Sequence, residues 1–199
     1  MSDTKQHSGV WILAEQADGE LSVVSFELLA RARVLADRLG QQLTAVLIGP
    51  ALDDEKLGEL ILRGADEVLT VESADLATFI NEPYAACLEG LIATHDPAII
   101  LAAATTAGRT LMPYVAVRVH AGLTADCTEL DIEDETGLLL QTRPAIGGNI
   151  LATIKTPTHR PQMATVRPHS SRPAPRDSSR AGKGTITRTA SPAMDGGVT

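Results

Sequence analysis

Aromatic residues are scarce in this chain: two Phe, two Tyr and one Trp among 199 residues. Binding single-stranded nucleic acid by base stacking needs aromatics on a basic surface, and here the net charge is -8. Nucleic acid is therefore not an expected partner. Cysteine is scarcer still. Cys87 and Cys127 lie far apart, with no CxxC and no metal-ligand spacing. Cys87, in an apolar helical stretch, reads as a buried reduced thiol. The polar start MSDTKQHSG is no signal segment, and Val10–Ala14 is too short to span a membrane. A cytoplasmic protein is expected.

Catalytic signatures are missing too. There is no G-x-G-x-x-G, no G-x-x-x-x-G-K-[ST], no H-E-x-x-H and no G-x-S-x-G. His7, His95, His120, His159 and His169 show no ligand spacing. Asp131, Glu133, Asp134 and Glu135 crowd into one turn, which reads as a solvated hairpin tip rather than an acid/base pair. No catalytic residue and no metal site are expected, and the chain does not read as an enzyme by itself.

What is present is a hydrophobic fraction of 44%, carried by Ala, Leu, Val and Ile, with 21% charged residues. That suits one domain with an appendage. From His169 onward five basic residues face two acidic ones, net +3, so the rest carries -11. This end is rich in Ser, Arg, Pro, Gly and Ala, with little to bury against the cost of ordering. Residues 1–8 and 169–199 are expected to be disordered, around an α/β domain over 9–168.

Within that domain the pattern alternates. Val10–Ala14 reads as a buried strand. Leu28, Leu29, Ala32, Leu35, Ala36 and Leu39 recur at helical spacing up to Gly40. Strands are expected over 43–48, 67–71 and 98–103, and helices over 53–62, 76–94 (re-started at Pro83) and 109–119. Such alternation predicts a mostly parallel sheet with helices on both faces. Strands over 127–132, 138–142 and 150–156 follow without helices, which predicts an antiparallel strand extension.

Four loops stand out. Thr105, Thr106 and Arg109 open a helix after an apolar strand, where amides and hydroxyls hold an anion or simply cap the helix. Thr124 and Asp126 can stabilise a turn. Arg143 precedes Gly147, Gly148 and Asn149, whose glycines permit close backbone approach. The fourth, residues 159–168, reads as a surface strand with solvated arginines.

Together with the opening VWILAEQADGEL, the segments ILAAATTAGRTLMP, AGLTADCTEL, TRPAIGGNILATI and RPQMATVRP resemble the alpha subunit of electron-transfer flavoproteins, and the last two resemble most its flavin-bifurcating branch. The resemblance covers about residues 9–168. It implies an adenine-nucleotide-hydrolase-like α/β fold and a heterodimer with a beta-type subunit, serving dehydrogenases and an acceptor such as ferredoxin or a quinone reductase. It also implies FAD, held on the alpha subunit's second domain and, in the bifurcating branch, on the partner as well. The TRPAIGGN loop is then placed near the partner's flavin. Arg143, Gly147, Gly148 and Asn149, with Thr124 and Asp126, become the residues beside it, and Thr105, Thr106 and Arg109 are loop candidates. Arg143 either stabilises reduced flavin there, or supports its loop or pairs with Asp126.

Three departures qualify the resemblance. The carboxy-terminal FAD domain is absent from the sequence, Ala107 stands where the family usually has an aromatic, and Tyr114 where it usually has arginine. The isolated chain is therefore expected to hold no flavin. Two other readings stay open: a nucleotide-binding α/β module, and a truncated remnant without electron-transfer activity.

Overall fold

The computed structural model describes residues 7–145 and 150–191. Strand β1, Val10–Ala14, is buried throughout, as an apolar run covered on both faces should be. A short hairpin follows, from β2 (Gln16–Ala17) and β3 (Glu20–Leu21), turning through Asp18 and Gly19 at positive φ. Helix α1 (Val23–Leu39) buries Leu28, Leu29, Ala32, Leu35 and Ala36, and ends on the left-handed Gly40. Then come β4 (Leu43–Gly49), α2 (Asp54–Leu62), β5 (Glu67–Glu72), α3 (Asn81–His95), β6 (Ile99–Ala103) and α4 (Thr106–Arg118). Pro83 sits in the first turn of α3, where its missing N–H costs nothing, so the stretch expected to be helical over 76–94 breaks just before it, with a separate 3-10 turn over Ala74–Leu76.

The second half supplies β7 (Gly122–Cys127), β8 (Glu129–Ile132), β9 (Leu139–Pro144), β10 (Leu151–Ile154), β11 (Gln162–Val166) and β12 (Thr185–Ala190). Seven parallel strands form the main sheet in the order β12-β5-β4-β1-β6-β11-β7. One face packs on α1 and α2 through Ile12, Leu47, Leu57 and Leu60. The other packs on α3 and α4 through Leu13, Val46, Leu88 and Met112. The α/β class and the two helical faces are as the alternation predicts. The antiparallel strands form a separate three-stranded sheet, β10-β9-β8.

Two expectations are corrected. Residues 162–166 are not a surface strand: β11 is buried throughout and lies between β6 and β7. Its polar members are satisfied inside. Gln162 accepts the Leu139 N–H, and Thr165 accepts the Asp126 N–H. The second correction concerns the tail. Residues 169–191 are ordered, crossing the α1/α2 face and adding β12 to the far edge of the sheet beside β5. Ala174 is buried and donates its N–H to the Phe26 carbonyl. Arg180 donates to the carbonyls of Ile61, Gly64 and Ala65 and to Asp66. Composition misled here because the tail gains little from burial. Its ordering is offset by a β-ladder and by charge-assisted hydrogen bonds, which a hydrophobicity argument does not count. Residues 1–6 and 192–199, expected to be disordered, lie outside the described residues.

Candidate functional site

Strands added after β1 run first to one side, through β4 and β5, and then to the other, through β6. The order reverses between β1 and β6, and in open parallel sheets ligands bind outside the carboxyl ends at such a point. Here that crevice holds Glu15, directly after β1, and Thr105, two residues after β6. The Thr105 hydroxyl donates to Glu15 Oε1 at 2.6 Å and accepts the Gly108 N–H at 3.1 Å, capping α4. Gly108 is required here, because a Cβ would lie 2.0 Å from the Ala103 carbonyl oxygen. Ser25 fixes the Glu15 backbone, its Oγ accepting the Glu15 N–H at 2.9 Å. Burial pushes the Glu15 carboxyl above its ordinary pKa, against the Thr105 hydrogen bond. A carboxylate thus stands where an anion-binding loop would receive phosphate. Thr105 is a cap, as its plainer reading had it, and Thr106 is exposed in the first turn of α4.

A second cluster lies at the ends of β7 and β11. Asp126 has a left-handed φ of 61°, stabilised by the hydrogen bond from its N–H to Thr165 Oγ1 at 2.9 Å. Its carboxylate accepts from Arg167 at 2.7 and 3.2 Å and lies 3.8 Å from Arg109. Hydrogen bonding to Arg167 holds the Asp126 carboxyl below its ordinary pKa, with Arg109 and Arg143 adding through space. Two guanidinium groups therefore flank one carboxylate within 4 Å, and the Arg143 charge acts on it from farther off, a local excess of positive charge.

The structure brings Arg109, Asp126 and Arg143 together, with Arg167 added. It does not bring Thr124 to the surface: Thr124 is buried in β7. Gly147, Gly148 and Asn149 lie outside the described residues. Arg167 and Glu15 were missed as site residues. Each directly follows a buried strand of the parallel sheet, and that position is the signal that could have found them. On the strand that pairs with Arg143, Leu151 is exposed by more than half and Ile154 partly so, and Ile150 just before it is exposed by more than half. Among the described residues no group of His, Cys, Asp and Glu could hold a metal ion, and no helix is long and apolar enough to cross a membrane.

Comparison with known proteins agrees with this architecture. Residues 10–193 match the electron transfer flavoprotein domain. The chain is 50% identical over 162 residues to Protein FixB of Clostridium saccharobutylicum, covering 81% of this chain and 48% of that protein. It is 49% identical over 183 residues to the electron transfer flavoprotein subunit alpha of Thermoanaerobacterium thermosaccharolyticum, covering 92% and 54%. It is 42% identical over 165 residues to the lactate dehydrogenase (NAD(+),ferredoxin) subunit LctC of Acetobacterium woodii, covering 83% and 39%. The chain spans about half the length of the curated relatives it matches. With the family profile matched over nearly its whole length, the chain belongs to the electron transfer flavoprotein family, on the side of the alpha subunit and FixB.

Proposed function

We propose that this chain is the alpha-type half of a cytoplasmic electron carrier, which pairs with a beta-type subunit and shapes a flavin site held on that partner. It carries electrons rather than catalysing a reaction by itself. The observation that carries the reading is the set of arginines acting on Asp126, together with exposed apolar residues, Ile150 and Leu151, on the segment that pairs with the Arg143 strand. Arginine is enriched at protein interfaces, and exposed large apolar side chains on the adjoining segment suit one.

Bound FAD supplies reversible uptake of electrons. The chain's own residues supply charge and shape. Arg143 projects from β9 on a planar, permanently charged group, which suits the negative charge that accumulates on a reduced isoalloxazine ring. Asp126 and Arg167 pin the adjoining strand ends, so the cationic surface is rigid. That the LctC relative is a subunit of a lactate dehydrogenase (NAD(+),ferredoxin) supports a dehydrogenase as a further partner. The rival reading, a phosphate-binding nucleotide module, is disfavoured by the Glu15 carboxylate in the switch-point crevice.

The test is co-expression with a beta-type subunit, followed by a flavin spectrum and potentiometry of the purified complex. The expected result is a 1:1 complex with bound flavin, and a lower flavin midpoint potential in Arg143→Ala with assembly retained. A complex whose flavin potential ignores Arg143→Ala removes Arg143 from the flavin site. Failure to assemble at all removes the carrier reading.

A further inference from the structure

The switch-point crevice is also a pocket. A cavity of about 90 Å³ opens beside Glu15, with Leu13, Ile48, Leu111 and Phe79 as apolar walls and Gln16 and Ala107 on its rim. Phe79 and Tyr84 meet edge to face, with ring centroids 5.0 Å apart. The polar groups lining the cavity are unevenly matched. Glu15 spends one oxygen on Thr105, and among the described residues its second oxygen meets no donor. The Gln16 amide is fixed by its Nε2, which donates to the Pro50 carbonyl at 2.8 Å. Its Oε1 is consequently an acceptor, and it is buried without a partner. The Tyr84 hydroxyl is already given to the Leu76 carbonyl at 2.8 Å.

The pocket therefore offers two open side-chain acceptors, on Glu15 and Gln16, against one remaining N–H of the Gln16 amide. A phosphate or carboxylate would add oxygen to oxygen. A ligand that completes it must bring several N–H groups on a small, flat body that tolerates apolar and aromatic walls. We propose that the pocket between the ends of β1 and β6 binds a guanidinium or amidinium group, with Glu15 as its counterion and Gln16 as a second acceptor. A carboxylate pairs with such a planar donor through two parallel hydrogen bonds, and the Phe79 and Tyr84 rings add cation–π attraction. This assignment does not depend on the carrier reading. The group can come from a free small molecule or from an arginine side chain of a bound partner.

Benzamidine and methylguanidine are the probes, titrated into the full chain by calorimetry and by thermal shift, with AMP and inorganic phosphate as contrasts. Benzamidine is expected to bind saturably and to raise the melting temperature, while AMP and phosphate do neither. Glu15→Gln keeps an acceptor for Thr105, so the fold is retained, but it loses the charge. Affinity for benzamidine should fall at least about tenfold. Ala107→Phe narrows the pocket from its rim without touching Glu15 and should abolish binding while preserving the circular dichroism spectrum. Repeating the titration in the complex with a beta-type subunit separates the sources. Blocked binding assigns the pocket to a partner's arginine, and retained binding assigns it to a free ligand. No saturable benzamidine binding to the isolated chain, equal affinity in Glu15→Gln, or competition by phosphate would overturn the proposal.

Discussion

Arg167 holds Asp126 by two hydrogen bonds, Nη2 to Oδ2 at 2.7 Å and Nε to Oδ1 at 3.2 Å, and so ties the end of β11 to the end of β7. The Arg167 N–H also donates to the Cys127 carbonyl at 2.9 Å. Asp126 in turn keeps a left-handed backbone, a conformation that Asp adopts more readily than most residues.

That pair should be visible in acid. The folded pKa of Asp126 lies below its unfolded value. Its contribution is present above the ordinary carboxylate pKa of about 4 and is lost as pH falls through the folded pKa. Urea melts of the parent chain should therefore weaken more steeply below about pH 4 than those of Asp126→Asn. Parallel acid limbs in the two proteins would assign the shift to another group.

The tail is expected to matter for stability. A chain ending at Pro168 loses β12, the buried Ala174 and the Arg180 clamp on α2 and Asp66. Its melting temperature should fall by on the order of 10 °C. Arg180→Ala alone removes four hydrogen bonds, one of them to a carboxylate, and should cost about 2 kcal/mol. Unchanged melting in both proteins would mean that the strand adds nothing in solution.

Asp66 makes a second acid-sensitive centre. Burial pushes its carboxyl up, but the Leu43 N–H, Arg33 and Arg180 outweigh that and hold it low. Asp66→Asn should cost about 1–3 kcal/mol at pH 7. The deficit should shrink below the folded pKa of Asp66, where the native carboxylate is itself protonated. A deficit independent of pH would point to lost shape rather than lost charge.

Both cysteines should be slow to react while the chain is folded. Burial pushes the Cys127 thiol up to about 11 and raises Cys87 as well. A chromogenic disulfide reagent at pH 8 should find almost no fast thiol in the native protein and two after unfolding. A fast native thiol would show that β7 or α3 opens readily.

Gln141 is fully buried in β9, and neither end of its amide has a partner among the described residues. An unsatisfied buried amide is costly, and a methionine of similar length carries no such debt. Gln141→Met is expected to stabilise the chain by about 1–2 kcal/mol. A destabilised variant would show that the amide is satisfied in the folded chain.

Local pattern sufficed for much of this protein. Apolar runs such as Val10–Ala14 and the helical spacing from Leu28 to Leu39 specify their own conformation, and their alternation specifies a parallel sheet. The turn at Thr105 was legible for the same reason, since a cap acts on an amide three residues away. Strand partners were not legible. β11 reads as a surface strand until β6 and β7 close on both its sides, and β12 reads as disordered until the β5 edge offers it a ladder. The site followed the same division. Asp126 could be singled out locally, but its partner Arg167 lies 41 positions away, and Glu15 meets Thr105 across 90. Charges and hydroxyls at strand ends acquire their roles from neighbours that the chain reaches only after crossing the sheet. Pairing at that range is decided by tertiary packing, because nothing in a short window of sequence records which strand will lie alongside.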